Sequence, residues 1–556
     1  MCGIFCIFAR NGFKGLNKDL MNKYVSCGKL LAHRGNKDKY NIINNKVFLF
    51  HNRLAINDLS PKGSQPIFIN QIMLIVNGEI YNYKELVKII KSELPTYIFK
   101  SSSDSEIIIP LYLLYGSAFM SKIRGMFSFV LYDCKKNIII AARDHVGITS
   151  LYYSEIDGMI MFSSEMKALI DITDDVKLFL PGQMYINQTF FNYYKPNWKE
   201  DNYIPTNAVN YDEIKNKLIN TVLSHTLSDQ PIGILLSGGL DSSLIASIMV
   251  HLKRQGLINN PIKTFTIGLK DAEDIIAAKQ VAEFLHAEHT IYNFTIEDAI
   301  NSLEDVIKYI ETYDITTIRA SIPLYLLTKK IKENTNIKVL LSGEGSDELM
   351  AGYLYFHKAP NKEELQEELK DKVLALHKYD CLRAHKATMA NTIELRVPFL
   401  DRDLMDYLLD IDPEFKMINK EKENNIEKYI LRKAFDNGEF LPKDILYRVK
   451  AQFSDAVSSK TENVIESLKA YANTKISDID FNNRATTFPI NTPISKEHFL
   501  YRQIFEKLYP HESCIKTVDH NIKSISCSTE RALKWLNIDQ DSVINDPSGN
   551  SMLNLI

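Results

Sequence analysis

In the middle of the chain, Leu235-Leu236-Ser237-Gly238-Gly239-Leu240-Asp241-Ser242-Ser243 carries the residue types of an anion-binding turn. The apolar run Ile232 to Leu236 precedes it, and Leu244 to Val250 can continue as a buried helix. A strand, a small-residue loop and a helix start turn backbone N–H groups and a helix dipole toward an anion. Gly238 and Gly239 admit a close backbone approach. Ser237, Ser242 and Ser243 supply hydroxyls, and Asp241 supplies a carboxylate for a metal ion. A plain Gly/Ser turn between strand and helix is the competing reading, and the motif alone does not exclude it. A second loop of small and acidic residues, Ser342-Gly343-Glu344-Gly345-Ser346-Asp347-Glu348, follows the apolar run Ile337 to Leu341.

The other reactive candidate is Cys2. Removal of Met1 would leave it with a free α-amine beside its thiol, and an amine with a pKa near 8 can serve as base for its own side chain. In isolation a second-position cysteine reads as a small strand residue. Its neighbours in sequence decide the matter.

The elements that would hold these groups fall into two parts. The first third reads mainly as strands, at Met73–Val76, Met126–Tyr132 and Ile138–Arg143, with helices near Asn17–Leu31, Lys84–Ser92 and Ser105–Tyr115. Grouped strands with few helices predict an α+β layer sandwich. The pattern dissolves between Tyr194 and Tyr211, which reads as a linker. Beyond it strands and helices alternate: a helix at Asp212–Ser228, the strand before Ser237, a strand at Lys263–Gly268 and a helix at Ala272–Leu285. A strand at Thr290–Phe294, helices at Ile296–Ile310 and Ile322–Glu333, and the strand Ile337–Leu341 follow. That rhythm predicts a parallel sheet with ligands at the strands' carboxyl ends, where Ser237 and Ser342 both fall. Past Asp401 the chain reads as helical, with Lys420–Asn425 a solvated loop before a helix at Ile426–Phe435 and a weakly patterned tail from about His511.

At 556 residues the chain calls for several domains. A formal net charge of -3 gives no basic field for nucleic acid, and no run of about 18 apolar residues suggests a membrane span. The N-terminus lacks a basic region and reads as a strand, not a signal peptide. Seven cysteines, odd in number and without a C-x-x-C pair, fit a reducing cytoplasm better than a disulfide framework or zinc site. His286 and His289 lack two further ligands nearby and read as a surface pair.

The segments Met1-Cys2-Gly3-Ile4, Leu31-Ala32-His33-Arg34-Gly35, His51 to Ile56, Gln65-Pro66, Asn77 to Asn82 and Ser103 to Glu106 stand in the order and spacing of a class II, N-terminal-nucleophile glutamine amidotransferase domain, which this region resembles. The resemblance implies a glutaminase with an αββα sandwich. Cys2 attacks the carboxamide, while the Asn77 side chain and the Gly78 backbone form the oxyanion hole. Arg53 takes the α-carboxylate of glutamine and Asp104, helped by Glu79, its α-ammonium. Leu54, Ala55, Ile56 and Asn57 complete the glutamine site.

Ser237 to Ser243 resembles the pyrophosphate loop of ATP pyrophosphatases, of the adenine nucleotide α-hydrolase-like α/β fold; no G-x-x-x-x-G-K-[ST] is present. Together with Phe265–Leu269, Glu311–Ser321, Leu341–Glu348, Arg396–Asp401, Lys450–Asp455 and Asn491–Glu497, the chain is similar over nearly its whole length to glutamine-hydrolysing asparagine synthetases of the bacterial and plant type. That implies aspartate activated as β-aspartyl-AMP by ATP, with release of pyrophosphate, then attacked by ammonia. In this reading Leu235, Ser237, Gly238, Gly239, Asp241, Ser242, Ser243, Ile267, Ser342 and Gly343 bind ATP. Asp241 and Asp347 hold Mg²⁺, Glu344 takes a proton from ammonia, and Lys450 stabilises charge on the phosphates.

The implied domains are a glutaminase at 2–195, a linker at 196–211, a synthetase at 212–510 and a tail at 511–556. Partners are small molecules alone (glutamine, aspartate, ATP), with a homodimer as a possible assembly and the cytoplasm as location. Ammonia lost to water would be protonated, so a sheltered path between the sites is expected, its lining not legible. The sequence departs from the family at Asn36, where Pro is common, at Ser150, again in place of Pro, and at Asn391-Thr392, where relatives often carry Trp-Gly. A synthetase acting on another carboxylate, including a β-lactam synthetase, and a catalytically silent homologue are the alternatives. Retained Cys2 and Glu344 speak against a β-lactam synthetase, and intact Cys2, Arg53, Asp104, Asp241, Glu344 and Asp347 against a silent homologue.

Overall fold

The structure, a computed structural model, describes residues 1–13, 17–419, 425–449, 457–459, 462–519 and 529–537. Lys450 and the Ala451–Asp455 segment lie outside the described residues, as do 420–424 of the charged loop and Cys527.

Alternation of side chains along each strand builds the first domain. One antiparallel sheet contains β1 (Gly3–Ala9), β2 (Lys37–Ile43) and β3 (Val47–Arg53). The other contains β4 (Ile67–Ile69), β5 (Ile72–Ile80), β6 (Gly125–Asp133) and β7 (Ile138–Arg143). With β8 (Tyr152–Ile156), β9 (Met159–Ser163), β10 (Lys177–Leu178), β11 (Gln183–Ile186) and β12 (Thr189–Asn192), the strand orders are β10-β8-β9-β1-β3-β2 and β12-β11-β7-β6-β5-β4. Ile4, Cys6 and Phe8 of β1 meet Met73 and Ile75 of β5 and Val130 and Tyr132 of β6 between the sheets. The alternate residues of the second sheet, Leu74, Val76, Phe127 and Phe129, pack with Leu86 and Ile90 of the helix Tyr83–Glu93 and Ile108 and Leu111 of the helix Ile108–Tyr115. Phe5, Ile7 and Phe50 of the first sheet face Tyr24 and Cys27 of the helix Lys18–Lys29. Four layers, helix on sheet on sheet on helix, follow from two sheets that are each apolar on both faces.

The second domain holds five parallel strands: β13 (Ile232–Leu235), β14 (Lys263–Gly268), β15 (Glu288–Asn293), β16 (Val339–Leu341) and β17 (Glu394–Arg396), in the order β15-β14-β13-β16-β17. The chain moves outward from β13 to β15, then returns to lay β16 on β13's other side. Such a reversal leaves a crevice at the carboxyl ends of the two central strands. Ser237 follows β13 and Ser342 follows β16.

Three elements differ from the pattern read in the sequence. The helix over 296–310 is two pieces, Ile296–Asn301 and Leu303–Ile310, broken at Ser302. The helix expected from Ile322 begins at Ile315, because Asp314 caps it by accepting the Thr317 N–H at 2.8 Å; Pro323 sits within it. Strand β17 was not anticipated: three residues ahead of Pro398 are too few to show a period.

The linker and the described residues beyond His511 are pinned down. Trp198 donates its indole N–H to Asp406 at 2.8 Å, and Tyr203 donates to Asp410 at 2.5 Å. His511 Nε2 lies 2.9 Å from the Ile170 carbonyl, and Cys514, Ile515, Ala532 and Leu533 are buried. The described parts of the segment read as a tail are therefore packed.

Candidate active sites

Cys2 lies at the start of β1, buried, where antiparallel pairing to β3 sets Gly3 opposite Asn52. Its N–H donates to Asn77 Oδ1 at 2.8 Å, and its Sγ is 3.7 Å from the Leu54 carbonyl. Because Asn77 spends its oxygen on Cys2, its amide nitrogen is left for an oxyanion, held only by a long 3.4 Å contact to Ser128 Oγ. Gly78 follows at φ +139, and a Cβ there would stand 2.0 Å from the Met126 carbonyl, so only glycine fits. Burial pushes the Cys2 thiol above its ordinary value, and the nearby α-amine partly offsets this. Such a thiol needs a local base to become a thiolate.

The glutamine-binding candidates surround this point. Arg53 donates to the main-chain carbonyls of Ser60, at 2.8 Å, and Asp58, which aim the fork and leave other N–H groups for a ligand. Asp104 accepts the Ile80 N–H at 2.7 Å, while Asn57 reaches Glu79 at 2.5 Å and Asp104 at 3.5 Å. Burial raises both carboxyls, Asp104 to about 6. The loop 54–58 is braced by the second domain. Gln230 Nε2 donates to the Ala55 carbonyl at 2.9 Å, the Asp229 N–H to Ile56 at 3.0 Å, and the Asp58 N–H to the Asp229 carboxylate at 2.8 Å.

In the second domain one cavity of about 200 Å³ gathers Leu235, Ser237, Gly239, Asp241, Ser242, Ile267, Ser342, Gly343, Glu344 and Asp347. Gly238 turns the loop at φ +77, and a Cβ there would meet the Ala277 backbone at 2.5 Å. Its carbonyl accepts from Arg448 at 3.1 Å. Ser243 is not brought to the cavity; it is fully buried one position further along the helix Leu240–Arg254, its hydroxyl unpartnered. Arg383 grips Glu344 bidentately at 3.1 and 3.0 Å. Lys428, buried, donates to Asp241 at 2.6 Å and to Asp347 at 2.7 Å. The two carboxylates thus converge on one point, and with hard oxygens offered there the pair fits a magnesium ion that completes its shell with phosphates and water. Among the described residues no three potential ligands cluster for a metal held by protein alone.

Lys428, Arg383, Arg448, Glu394 and Arg396 were not singled out from sequence. Arg396 lay in a quoted motif, so its presence was visible though its direction was not; Lys428 gave no signal beyond being a lysine after a charged loop.

Between the sites lies a buried ionic network. Lys386 donates to Glu311 at 2.5 Å and to Tyr152 at 2.8 Å, and Glu311 accepts the Met166 and Lys167 N–H groups at 2.9 Å each. Two of the departures from the family pattern fall on this interface. The Ser150 N–H donates to His385 at 3.0 Å, and Thr392, at φ +62, donates to the His33 carbonyl at 2.8 Å. Asn391 donates to the Tyr325 carbonyl and Thr328, both at 3.0 Å. Asn36 is simply exposed at the entry to β2. A further cavity of about 10 Å³ lies between Ile148 of the first domain and Glu344 of the second, lined by Leu376, Leu395, Val397 and Leu400.

A cysteine immediately before the first strand of a double antiparallel sandwich, joined to a parallel sheet with a Ser-Gly-Gly loop, is the arrangement of an amidotransferase fused to a nucleotide-dependent synthetase. The glutamine amidotransferase domain family matches residues 1–197, and the asparagine synthase family matches 213–375 and 358–536. An asparagine synthetase [glutamine-hydrolyzing] of Zea mays is 43% identical over 99% of this chain and 93% of its own. One from Triphysaria versicolor is 44% identical over 96% and 91%. A nodule enzyme of Pisum sativum is 43% identical over 100% and 94%. The chain belongs to the glutamine-hydrolysing asparagine synthetases.

Proposed function

We propose that the protein makes asparagine from aspartate, with glutamine as nitrogen donor and ATP as activating substrate, and that the two sites divide the work as follows. The observation that carries this reading is the presence, in one chain, of Cys2 against Asn77 and of Glu344 and Asp347 against the Ser237 loop.

Glutamine sits with its carboxylate on Arg53 and its ammonium on Asp104 and Glu79, lined by Leu54, Ala55, Ile56 and Asn57. With Met1 removed, the Cys2 amine takes the thiol proton and Sγ attacks the carboxamide carbon. Asn77 Nδ2 and the Gly78 N–H hold the oxyanion. The amine returns the proton to the departing ammonia, and water then releases glutamate from the thioester.

In the second site the Ser237–Ser242 loop and the Ser342–Gly343 backbone hold ATP, with Leu235 and Ile267 beside the adenine. Aspartate's β-carboxylate attacks the α-phosphorus, giving β-aspartyl-AMP and pyrophosphate. Asp241 and Asp347 would hold Mg²⁺, which neutralises charge on the leaving pyrophosphate when bound; Lys450 adds to that neutralisation. Glu344 takes a proton as ammonia attacks the acyl carbon, and AMP leaves.

We assign residues 2–195 to the glutaminase, 196–211 to the linker, 212–510 to the synthetase and 511–556 to the terminal segment. Among the described residues no helix is long and apolar enough to cross a membrane, and a cytoplasmic protein acting on small molecules, as a homodimer, fits this reading.

Product analysis tests it. Aspartate, glutamine, ATP and Mg²⁺ should give asparagine, glutamate, AMP and pyrophosphate, whereas ADP and phosphate would overturn the mechanism. Cys2→Ala should abolish glutamine use and keep ammonia-dependent synthesis; loss of both would deny the division into two sites.

A further inference from the structure

The wall of the glutamine site is not built by the amidotransferase domain alone. Strand β17, at the edge of the synthetase sheet, sends two side chains into it. Glu394 accepts the ammonium of Met1, the residue whose removal the glutaminase mechanism requires, one position before Cys2. Arg396 bonds Glu394 through Nε at 2.8 Å and brings Nη2 to 3.3 Å from Glu79. Its Nη1 donates to the carbonyls of His225 at 2.8 Å and Leu227 at 2.7 Å, and Tyr81 is stacked on His225 with centroids 3.7 Å apart. The same residue touches the other site: the Arg396 carbonyl accepts the Ser342 N–H at 3.0 Å.

We propose that Arg396 is a positioning residue of the glutaminase, contributed by the synthetase domain, which sets its positive charge at ion-pair distance from Glu79, favours the carboxylate and aims it at the ammonium of glutamine, while its own backbone fixes the first residue of the Ser342 loop. This rests on the reading that Asp104 and Glu79 receive that ammonium.

The electrostatics follow from burial. Glu79, Asp104 and Glu394 are three buried carboxyls close together, and desolvation and mutual repulsion favour protonation of Glu79. Arg396 opposes that by direct charge. Its Nη2 makes no hydrogen bond, so the guanidinium acts on Glu79 by charge at ion-pair distance, while Asn57 donates to the same carboxylate oxygen. Without Arg396 the balance at Glu79 moves further toward the protonated carboxyl, which attracts an ammonium less. Strand β17 pairs with β16 along one edge, and Arg396 at its end bonds Ser342 through its backbone and reaches Glu79 through its side chain, so one residue spans both domains.

The test is a split between nitrogen donors. In Arg396→Gln the KM for glutamine should rise about tenfold or more. Ammonia-dependent synthesis should stay within about twofold, because the backbone bond to Ser342 persists. Arg396→Lys should recover part of the loss by restoring the charge. Should the glutamine variant fail to fold, the lysine variant, whose single ammonium cannot span Glu394 and Glu79, should still show a raised glutamine KM with ammonia use intact. An unchanged glutamine KM in a folded variant, or equal losses with both donors, overturns the proposal. Asp104→Asn run in parallel separates the two readings. If it raises the glutamine KM and the Arg396 variants do not, only the role of Arg396 fails; if none does, the ammonium site itself is misplaced.

Discussion

Asp241 and Asp347 stand at the ends of two adjacent parallel strands and share one ammonium, that of Lys428, at 2.6 and 2.7 Å. Lys428 takes a left-handed backbone at φ +54 and is almost wholly buried, so its reach is set by main chain as well as side chain. The two carboxylates proposed to hold Mg²⁺ are thereby held at a fixed spacing. Replacing Lys428 by Met removes the ammonium to which both carboxylates are bonded, and their spacing should relax. The kcat/KM for ATP should fall at least about tenfold, equal to about 1.4 kcal/mol of transition-state stabilisation. Glutamine hydrolysis without ATP should be unaffected. Equal activity of Lys428→Met and the parent in pyrophosphate release would sink the idea.

Asp104 sets a pH limit on glutamine use. Burial raises its carboxyl to about 6 from 3.8, against the opposing Ile80 N–H and Asn57. Only the ionised form attracts an ammonium. The kcat/KM for glutamine hydrolysis should therefore fall as pH drops through about 6, where an unburied aspartate would hold its charge to near 4. The sign for stability is opposite: the fold favours the protonated carboxyl, so its stabilising contribution is full below 3.8 and is lost as pH rises through about 6. A pH profile of glutamate release that stays flat from pH 7 to 5 would rule this out.

Strand periods and turn residues made much of the fold legible, since β7 and β14 span the residues their apolar patterns marked out, Ile138–Arg143 and Lys263–Gly268. Short elements were not, because β17 has only three residues and takes its identity from pairing with β16. For the sites, motifs placed Cys2 beside Asn77 and Asp241 beside Asp347. Motifs did not reveal what neutralises those carboxylates. Lys428 and Arg396 come from distant segments, and charge balance across a fold depends on three-dimensional closure that local pattern does not carry. Ser150 reads in sequence as a loop departure away from the chemistry and Asn391-Thr392 as one nearer the site, and the structure sets both Ser150 and Thr392 against the opposite domain.

Glu311 anchors the domain interface. It accepts two main-chain N–H groups of the first domain and pairs with Lys386, whose side chain is wholly buried. Its backbone is left-handed at φ +60, as expected where it caps the helix Leu303–Ile310. Glu311→Ala would strand a buried ammonium and two donors, at a cost of roughly 3–5 kcal/mol. Chemical denaturation should show the loss, while Lys516→Ala, whose partner Glu512 is exposed, should shift stability by less than about 1 kcal/mol. A loss from Glu311→Ala as small as that would show the network to be dispensable.

At Ser150 two rules give opposite signs. A proline at this family position would stiffen the unfolded chain and, where the native backbone tolerates it, stabilise by about 0.4–1 kcal/mol. Here the Ser150 N–H donates to His385 of the other domain, and the hydroxyl donates to the Ser164 carbonyl at 2.6 Å. Proline removes both donors, and each leaves a buried acceptor unpaired at roughly 1–3 kcal/mol. The hydrogen-bond loss exceeds the entropic gain, so Ser150→Pro should lower the midpoint of thermal unfolding although it restores the common family residue. Ser150→Ala, which keeps the N–H, should lose less. A proline variant melting at or above the parent would show that the contact to His385 contributes nothing, and that the loop follows the family geometry after all.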